Sequence, residues 1–212
     1  MSVRVTEIFH SLQGEADAVG WPTVFVRLTG CPLRCGYCDT AYAFHGGRAM
    51  EQVDILDEVA SYSTRHVCVT GGEPLAQATC IPLLTALADA GHAVSIETSG
   101  ALDLAPVDPR VAIVMDVKTP GSGEHARNRG ENLALLKPTD QIKYVLTSRE
   151  DYDWALAHLR EHDLAARCQI LFSPAFGEIT PQDLAAWILA DRAPVRFQLQ
   201  LHKVLWGNEP GR

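Results

Sequence analysis

The alternation of apolar patterns along this 212-residue chain predicts an α/β protein in which parallel strands form an open, partial TIM-like barrel. Three observations carry that prediction. Runs rich in β-branched residues alternate with segments of helical periodicity along the chain. About six such strands follow the N-terminal segment, too few to close an eightfold barrel. Polar and glycine-rich clusters fall where the strands end, at 31–40, 70–73, 97–100, 116–123 and 173–177. Parallel α/β folds gather their active sites at that edge.

In chain order, TVFVRLTG (23–30) is a short β-rich run that leads into a cysteine-rich loop. MEQVDILDEVASYS (50–63) has helical spacing, with Val53, Leu56, Val59 and Ala60 on one face. HVCVTGGEP (66–74) reads as a buried strand ended by two glycines and a proline. The helix in PLLTALADAG closes with Gly91 at the C′ position. Strand patterns follow in AVSIETSG (93–100), VAIVMDVKTPGSG (111–123) and QIKYVLTS (141–148). A helix over 149–162 leads to the strand CQILFSPAFG (168–177). A second helix over 180–192 starts with Thr180 as N-cap and Pro181 at the first helical position. RFQLQLHKVL (196–205) alternates like a last strand. No linker, repeat or low-complexity stretch divides the chain, so one domain spanning 1–212 is expected.

With 47% hydrophobic and 21% charged residues, the chain is globular in composition. No apolar run approaches the ~20 residues of a membrane span, and the N-terminus lacks a signal-peptide pattern. A cytoplasmic protein with reduced thiols is expected. The net charge of −8 argues against a nucleic-acid partner, which calls for basic surfaces. A small-molecule substrate is the better expectation.

Cys31, Cys35 and Cys38 lie in TGCPLRCGYCDTAY, spaced Cys-x3-Cys-x2-Cys. An odd number of thiols in a reducing compartment counts against a disulfide clasp. A structural zinc site wants four ligands, usually as paired Cys-x2-Cys elements, and only His45 is at hand to complete one. Cys68, Cys80 and Cys168 stand alone in apolar stretches and read as small core residues. The third reading is a cubane iron–sulfur cluster held by three thiolates, with one iron left open to a chelating molecule.

The spacing, with Tyr37 before the last cysteine, resembles the signature of the radical S-adenosylmethionine (SAM) family. VTGGEP (69–74) resembles that family's glycine-rich SAM-binding motif, and Gly71 and Gly72 lack the Cβ atoms that keep main chain from a ligand. The resemblance implies a 4Fe-4S cluster on Cys31, Cys35 and Cys38, with SAM on its open iron as source of a 5′-deoxyadenosyl radical. Within the family, EIFHSLQGEA (7–16), GWPTVFVRLTGC (20–31), CDTAY (38–42) and DVKTPGSGE (116–124) resemble the 7-carboxy-7-deazaguanine synthases of the queuosine pathway. That resemblance covers nearly the entire chain. It implies ring contraction of 6-carboxy-5,6,7,8-tetrahydropterin to 7-carboxy-7-deazaguanine with loss of ammonia, the hydrogen taken from C6 returning so that SAM is regenerated. It also implies magnesium on Thr40, a flavodoxin- or ferredoxin-type electron donor, and a homodimer.

The positions it matches to SAM are Gly36, Tyr37, Cys38, Asp39, Gly72, Asp116, Val117, Lys118, Ser173, Pro174, Ala175 and Phe176. For the pterin it implies Leu12, Gln13, Gly14, Glu15 and Thr70, with His202 near the substrate. A lone histidine is as often structural, and a threonine is more often a cap than a metal ligand. Arg27 is a cation inside an apolar strand; a buried guanidinium needs a partner, and its planar fork suits a carboxylate. Glu97, at a strand end, is expected to face the mouth. Ala16 stands where the subgroup has glycine, and a non-glycine residue ordinarily avoids positive φ. Some relatives use their terminal carboxylate in the substrate site, whereas this chain runs on as WGNEPGR. A glycyl-radical activating enzyme shares the cysteine spacing, and a non-catalytic zinc or electron-transfer module is the alternative from another class.

Overall fold

The computed structural model describes residues 1–207, 209 and 211. Among them, β1 (Ser2–Leu12), β2 (Pro22–Leu28), β3 (Arg48–Glu51), β4 (His66–Gly71), β5 (Ala93–Thr98), β6 (Ala112–Asp116), β7 (Gln141–Leu146), β8 (Gln169–Pro174) and β9 (Arg196–Phe197) form one sheet. Its order is β3-β1-β2-β4-β5-β6-β7-β8-β9. Every neighbouring pair from β2 to β9 is parallel, while β1 runs antiparallel to both β2 and β3. β3 and β9 remain as edges, so the barrel is open. No helix among the described residues is long and apolar enough to cross a membrane.

The strand period of two sorts the sheet into two chemistries. One set of alternate residues packs under the helices: Val24, Val26, Val67, Val69, Val94, Ile96, Ile113, Met115, Ile142, Tyr144, Ile170 and Phe172 all belong to the main core. Each fully buried aliphatic or aromatic side chain there stabilises the fold by about 1.5–3 kcal/mol. The intervening set mixes apolar residues such as Phe25, Val114 and Leu171 with polar or charged ones: Arg27, Thr70, Glu97, Asp116 and Lys143. Register keeps these side by side, since Arg27 pairs with Thr70, Glu97 with Val114 and Asp116 with Lys143. Polarity on the face away from the helices is what leaves room for a ligand.

Helices α1 (Gln52–Ser61), α2 (Cys80–Asp89), α3 (Arg149–Glu161) and α4 (Pro181–Asp191) follow their sequence patterns. Ser148 Oγ accepts from the Asp151 amide at 3.3 Å, and Thr180 Oγ1 accepts from the Asp183 amide at 3.1 Å, capping α3 and α4. Gly91 takes φ +90° just past α2.

Two expectations need correction. The buried face of α1 is Ile55 and Val59 with Leu56, whereas Val53 and Ala60 are exposed. Ile55 and Val59 are four apart and form the true stripe toward the sheet. The last strand spans only Arg196–Phe197, and α5 (Leu201–Trp206) occupies the rest of that run. The last backbone bond to β8 is from Gln198 N–H to Phe172 O at 2.9 Å, and the Gln198 and Gln200 side chains then turn inward, to Ala16 and Glu15 respectively. Cys68, Cys80 and Cys168 are buried as expected, and the Cys68 thiol lies against Ser95 and Glu97.

Candidate active site

The parallel strands end around one cavity of about 650 Å³, ample for a drug-sized molecule. Cys31, Cys35 and Cys38 line it, each half-buried on the loop between β2 and the single turn Ala41–Phe44. The loop is pinned by Gly36 N–H donating to Ser122 O at 3.1 Å and by Arg34 N–H donating to Glu124 Oε1 at 2.6 Å. The Leu33 amide points at Cys31 Sγ, 3.4 Å away. Burial pushes the Cys31 and Cys35 thiols up from their ordinary range. A coordinated metal reverses that preference, because a ligating thiol is deprotonated.

The glycine motif serves this loop directly. A Cβ at Gly72 would collide with the Gly30 carbonyl and Cys31 Cβ, and one at Gly71 with the Leu28 backbone. Close approach to the end of β2 therefore requires Gly71 and close approach to the cysteine loop Gly72, which refines the expectation that they make way for a ligand. Glu73 is fully buried, with its carboxylate taking bonds from Thr98 Oγ1 (2.9 and 3.0 Å), Ser99 N (2.7 Å), Ser99 Oγ (2.5 Å) and Leu75 N (3.0 Å). It ties the motif to the end of β5.

On the expected SAM side, Tyr37, Cys38, Asp39, Gly72, Asp116, Lys118, Ala175 and Phe176 line the cavity. Gly36, Val117, Ser173 and Pro174 do not, and the last three are buried. Lys118 Nζ lies 3.1 Å from Asp116 Oδ2 and 5.6 Å from the Tyr37 ring centroid. Asp116 Oδ1 and the Tyr37 hydroxyl are buried without a hydrogen-bond partner among the described residues. Unmet buried polar atoms beside a large cavity fit a polar ligand such as the hydroxyl-bearing half of SAM. The thiol set, the close-packed glycines and these orphan atoms all fit the cluster and SAM.

The other wall carries Leu12, Gln13, Gly14, Glu15, Arg27, Thr70, Glu97 and His202, all of which line the same cavity. Gln13 Nε2 donates to Glu97 Oε1 at 3.2 Å and Thr70 Oγ1 to Glu97 Oε2 at 3.1 Å. Arg27 Nε donates to Glu7 Oε1 at 2.7 Å. Glu15 accepts from Lys143 Nζ at 2.6 Å and from Gln200 Nε2 at 2.9 Å. Burial alone would raise the Glu15 carboxyl, but Lys143 holds it below its ordinary value. His202 belongs to α5; a Cβ at Gly14 would strike its ring, and burial pushes its pKa down. Ala16 adopts φ +64° after all, and its methyl packs on Val114 and Leu171. Thr40 Oγ1 lies at the cavity and donates to Asp39 Oδ1 at 2.7 Å, while Asp39 Oδ2 pairs with Lys203 at 3.3 Å.

Among the described residues, no three His, Cys, Asp or Glu side chains meet around a single ion. His45 is exposed and absent from the cavity wall, so the fourth ligand of the zinc reading is missing. The side chains that sequence reasoning missed are Lys143, Gln200, Lys203, Tyr42 and Glu7. Lys143 carried a usable signal, a lone cation in the apolar strand QIKYVL, the same signal that marked Arg27. Gln200 was hidden by the misread last strand. Glu209 and Gly211 also line the cavity, whereas Asn208, Pro210 and the terminal Arg212 carboxylate lie outside the described residues.

A half-open parallel barrel with three thiols of this spacing at its mouth is the architecture of a radical SAM protein, and residues 25–119 match the Radical SAM superfamily. The chain is 45% identical to a 7-carboxy-7-deazaguanine synthase of Chlorobaculum tepidum, over 96% of this chain and 94% of that protein. It is 43% identical to one of Koribacter versatilis, over 98% of each. The crystal structure of QueE from Escherichia coli superposes with a TM-score of 0.76 at 24% identity, over 95% of each chain, a likeness of fold. This chain belongs to the 7-carboxy-7-deazaguanine synthase family of radical SAM enzymes.

Proposed function

We propose that this chain, acting as one radical SAM domain, converts 6-carboxy-5,6,7,8-tetrahydropterin to 7-carboxy-7-deazaguanine and ammonia. The observation that carries the reading is that Cys31, Cys35 and Cys38 share one cavity with a belt of pterin-compatible groups: Gln13, Glu15, Arg27, Thr70 and Glu97. Bound there, the cluster and SAM would supply a carbon radical able to take a hydrogen from C6 of the substrate. The chain's own task is binding and orientation. Arg27 grips the substrate carboxylate, Glu97 and Glu15 accept from ring N–H groups, and the Gln13 amide and Leu12–Gly14 backbone read the pterin edge. Asp116, Lys118 and Tyr37 take the SAM side.

The finer assignments belong to the same reading. Magnesium would bind Thr40 with waters and the substrate carboxylate, in keeping with its taste for oxygen ligands. A flavodoxin- or ferredoxin-type donor supplies the electron, and the working form is a cytoplasmic homodimer. Anaerobic incubation with the carboxy-tetrahydropterin, SAM, Mg²⁺ and reductant tests the function. The deazaguanine product and equimolar ammonia are expected. A colourless protein holding stoichiometric zinc after reconstitution, with no product, would overturn it.

A further inference from the structure

Arg27 is held more elaborately than a surface ion pair needs. It stands opposite Glu7 in the β1–β2 register, and its Nε donates to Glu7 Oε1 at 2.7 Å. The Tyr42 hydroxyl donates to the same oxygen at 2.8 Å. The guanidinium carbon lies 5.6 Å from the Phe9 ring centroid and 5.8 Å from that of Tyr42, and Phe9 is stacked on Phe25 at 4.9 Å. Phe9, Phe25, Arg27 and Tyr42 all line the cavity. Among the described residues, no hydrogen-bond acceptor meets the two terminal nitrogens of Arg27.

We propose that Glu7 and Tyr42 are positioning residues that fix the Arg27 fork so that its terminal-nitrogen edge receives the substrate carboxylate end-on. This rests on the reading of Arg27 as carboxylate ligand given above. A guanidinium offers two edges that match a carboxylate, one of them including Nε. Glu7 occupies Nε and so closes the side-on edge. The neighbouring rings restrict the tilt of the guanidinium plane, and the Tyr42 hydroxyl restrains Glu7 in turn. One edge remains, preset before substrate arrives. Positioning has a cost, because Glu7 places a second anion near the incoming one. The sign of a Glu7 substitution therefore separates the two effects: orientation predicts weaker binding without Glu7, and simple charge balance predicts tighter binding.

The test is calorimetric titration of the anaerobically reconstituted, SAM-loaded protein with 6-carboxypterin and with pterin lacking the carboxylate. Wild type should prefer 6-carboxypterin. Glu7→Ala should lose about tenfold for 6-carboxypterin and little for pterin, as a charge-assisted bond is removed. Glu7→Gln keeps an acceptor for Nε and should retain most of the preference. SAM affinity, measured in the same samples, should be unchanged and serves as the check on folding. Should Glu7→Ala not fold, Tyr42→Phe keeps the ring and removes only the hydroxyl; a severalfold loss confined to 6-carboxypterin is expected. Unaltered selectivity in Tyr42→Phe, or Glu7→Ala binding as tightly as wild type, overturns the proposal. If the preference vanishes in Arg27→Met but survives in Glu7→Ala, Arg27 is the carboxylate ligand and only the positioning is wrong. If wild type shows no preference, the reading of Arg27 falls and this inference with it.

Discussion

Lys143 Nζ donates to Glu15 Oε2 at 2.6 Å, joining the middle of β7 to the N-terminal loop across 128 residues of sequence. Lys143 also lies 3.6 Å from Asp116, so one ammonium touches a group on the substrate wall and one on the SAM wall. Both members of the Lys143–Glu15 pair are nearly buried, with side-chain exposures of 11% and 10%. Burial would lower the Lys143 ammonium, yet Glu15 and then Asp116 raise it, while Lys143 lowers Glu15.

Replacing Lys143 by methionine leaves the Glu15 carboxylate buried without its cation, with only the Gln200 amide still donating to it, so a loss of about 3–5 kcal/mol is expected in urea unfolding at neutral pH. Because the folded-state pKa of Glu15 is depressed, its contribution is present above the unfolded carboxyl value of 4.5 and lost as pH falls through the folded value. In Lys143→Met that stabilisation is absent at neutral pH, so the deficit against wild type should narrow toward acid. An equal deficit at pH 7 and at strongly acid pH would contradict the pairing.

Two glycines should respond oppositely to alanine. A Cβ at Gly72 meets backbone and Cys31, whereas one at Gly36 meets nothing within 4 Å. Gly72→Ala should displace the cysteine loop and lower iron incorporation after reconstitution, while Gly36→Ala should load iron like wild type. Iron per chain, measured in parallel, decides it. Normal loading of Gly72→Ala would show that the loop tolerates the shift.

At Ala16, strain and packing oppose each other. The left-handed backbone costs an alanine about 1–2 kcal/mol. Glycine would relieve that but adds about 0.5–1 kcal/mol of chain entropy and gives up roughly 0.8 kcal/mol of methyl burial. Ala16→Gly should therefore fall within about 1 kcal/mol of wild type by these figures. Ala16→Val adds β-branching at positive φ and crowds Val114 and Leu171, and should cost more than 2 kcal/mol, within the usual range for overpacking and backbone strain. Equal stability of the valine and glycine variants would contradict the conformation.

The strands were legible because alternation is a local signal. Arg27 and Glu97 could be placed at the mouth from that alternation alone, and Lys143 could have been. β1 escaped because EIFHSLQGEA was read for motif residues, and β3 because Met50 and Glu51 were assigned to the helix that follows, although Val3, Val5 and Met50 point into the core. The end of the chain misled for a different reason. Gln198 and Gln200 mimic outward-facing strand positions, yet their amides bond Ala16 and Glu15, contacts formed only after the two ends of the chain meet. Long-range polar partners such as Glu7 for Arg27 leave no local trace.

Thr40→Val removes a hydroxyl while keeping its shape. If that oxygen holds magnesium, turnover should fall and its dependence on added Mg²⁺ should flatten, with iron content and SAM affinity unchanged. Magnesium and substrate binding should also support each other, since the carboxylate helps complete the octahedron. A wild-type Mg²⁺ response in the variant would move the metal elsewhere.

The central claim is that hydrogen removal in this cavity is radical chemistry shared between the cysteine loop and the substrate belt, rather than proton transfer by Glu15, Lys143 or His202. Turnover of substrate deuterated at C6, followed by mass spectrometry of the SAM recovered, tests it most directly. The account predicts deuterium in the recovered SAM of wild type, and neither label transfer nor product from Cys35→Ala. Product formed with the label lost entirely to solvent, or undiminished turnover by Cys35→Ala, would contradict it.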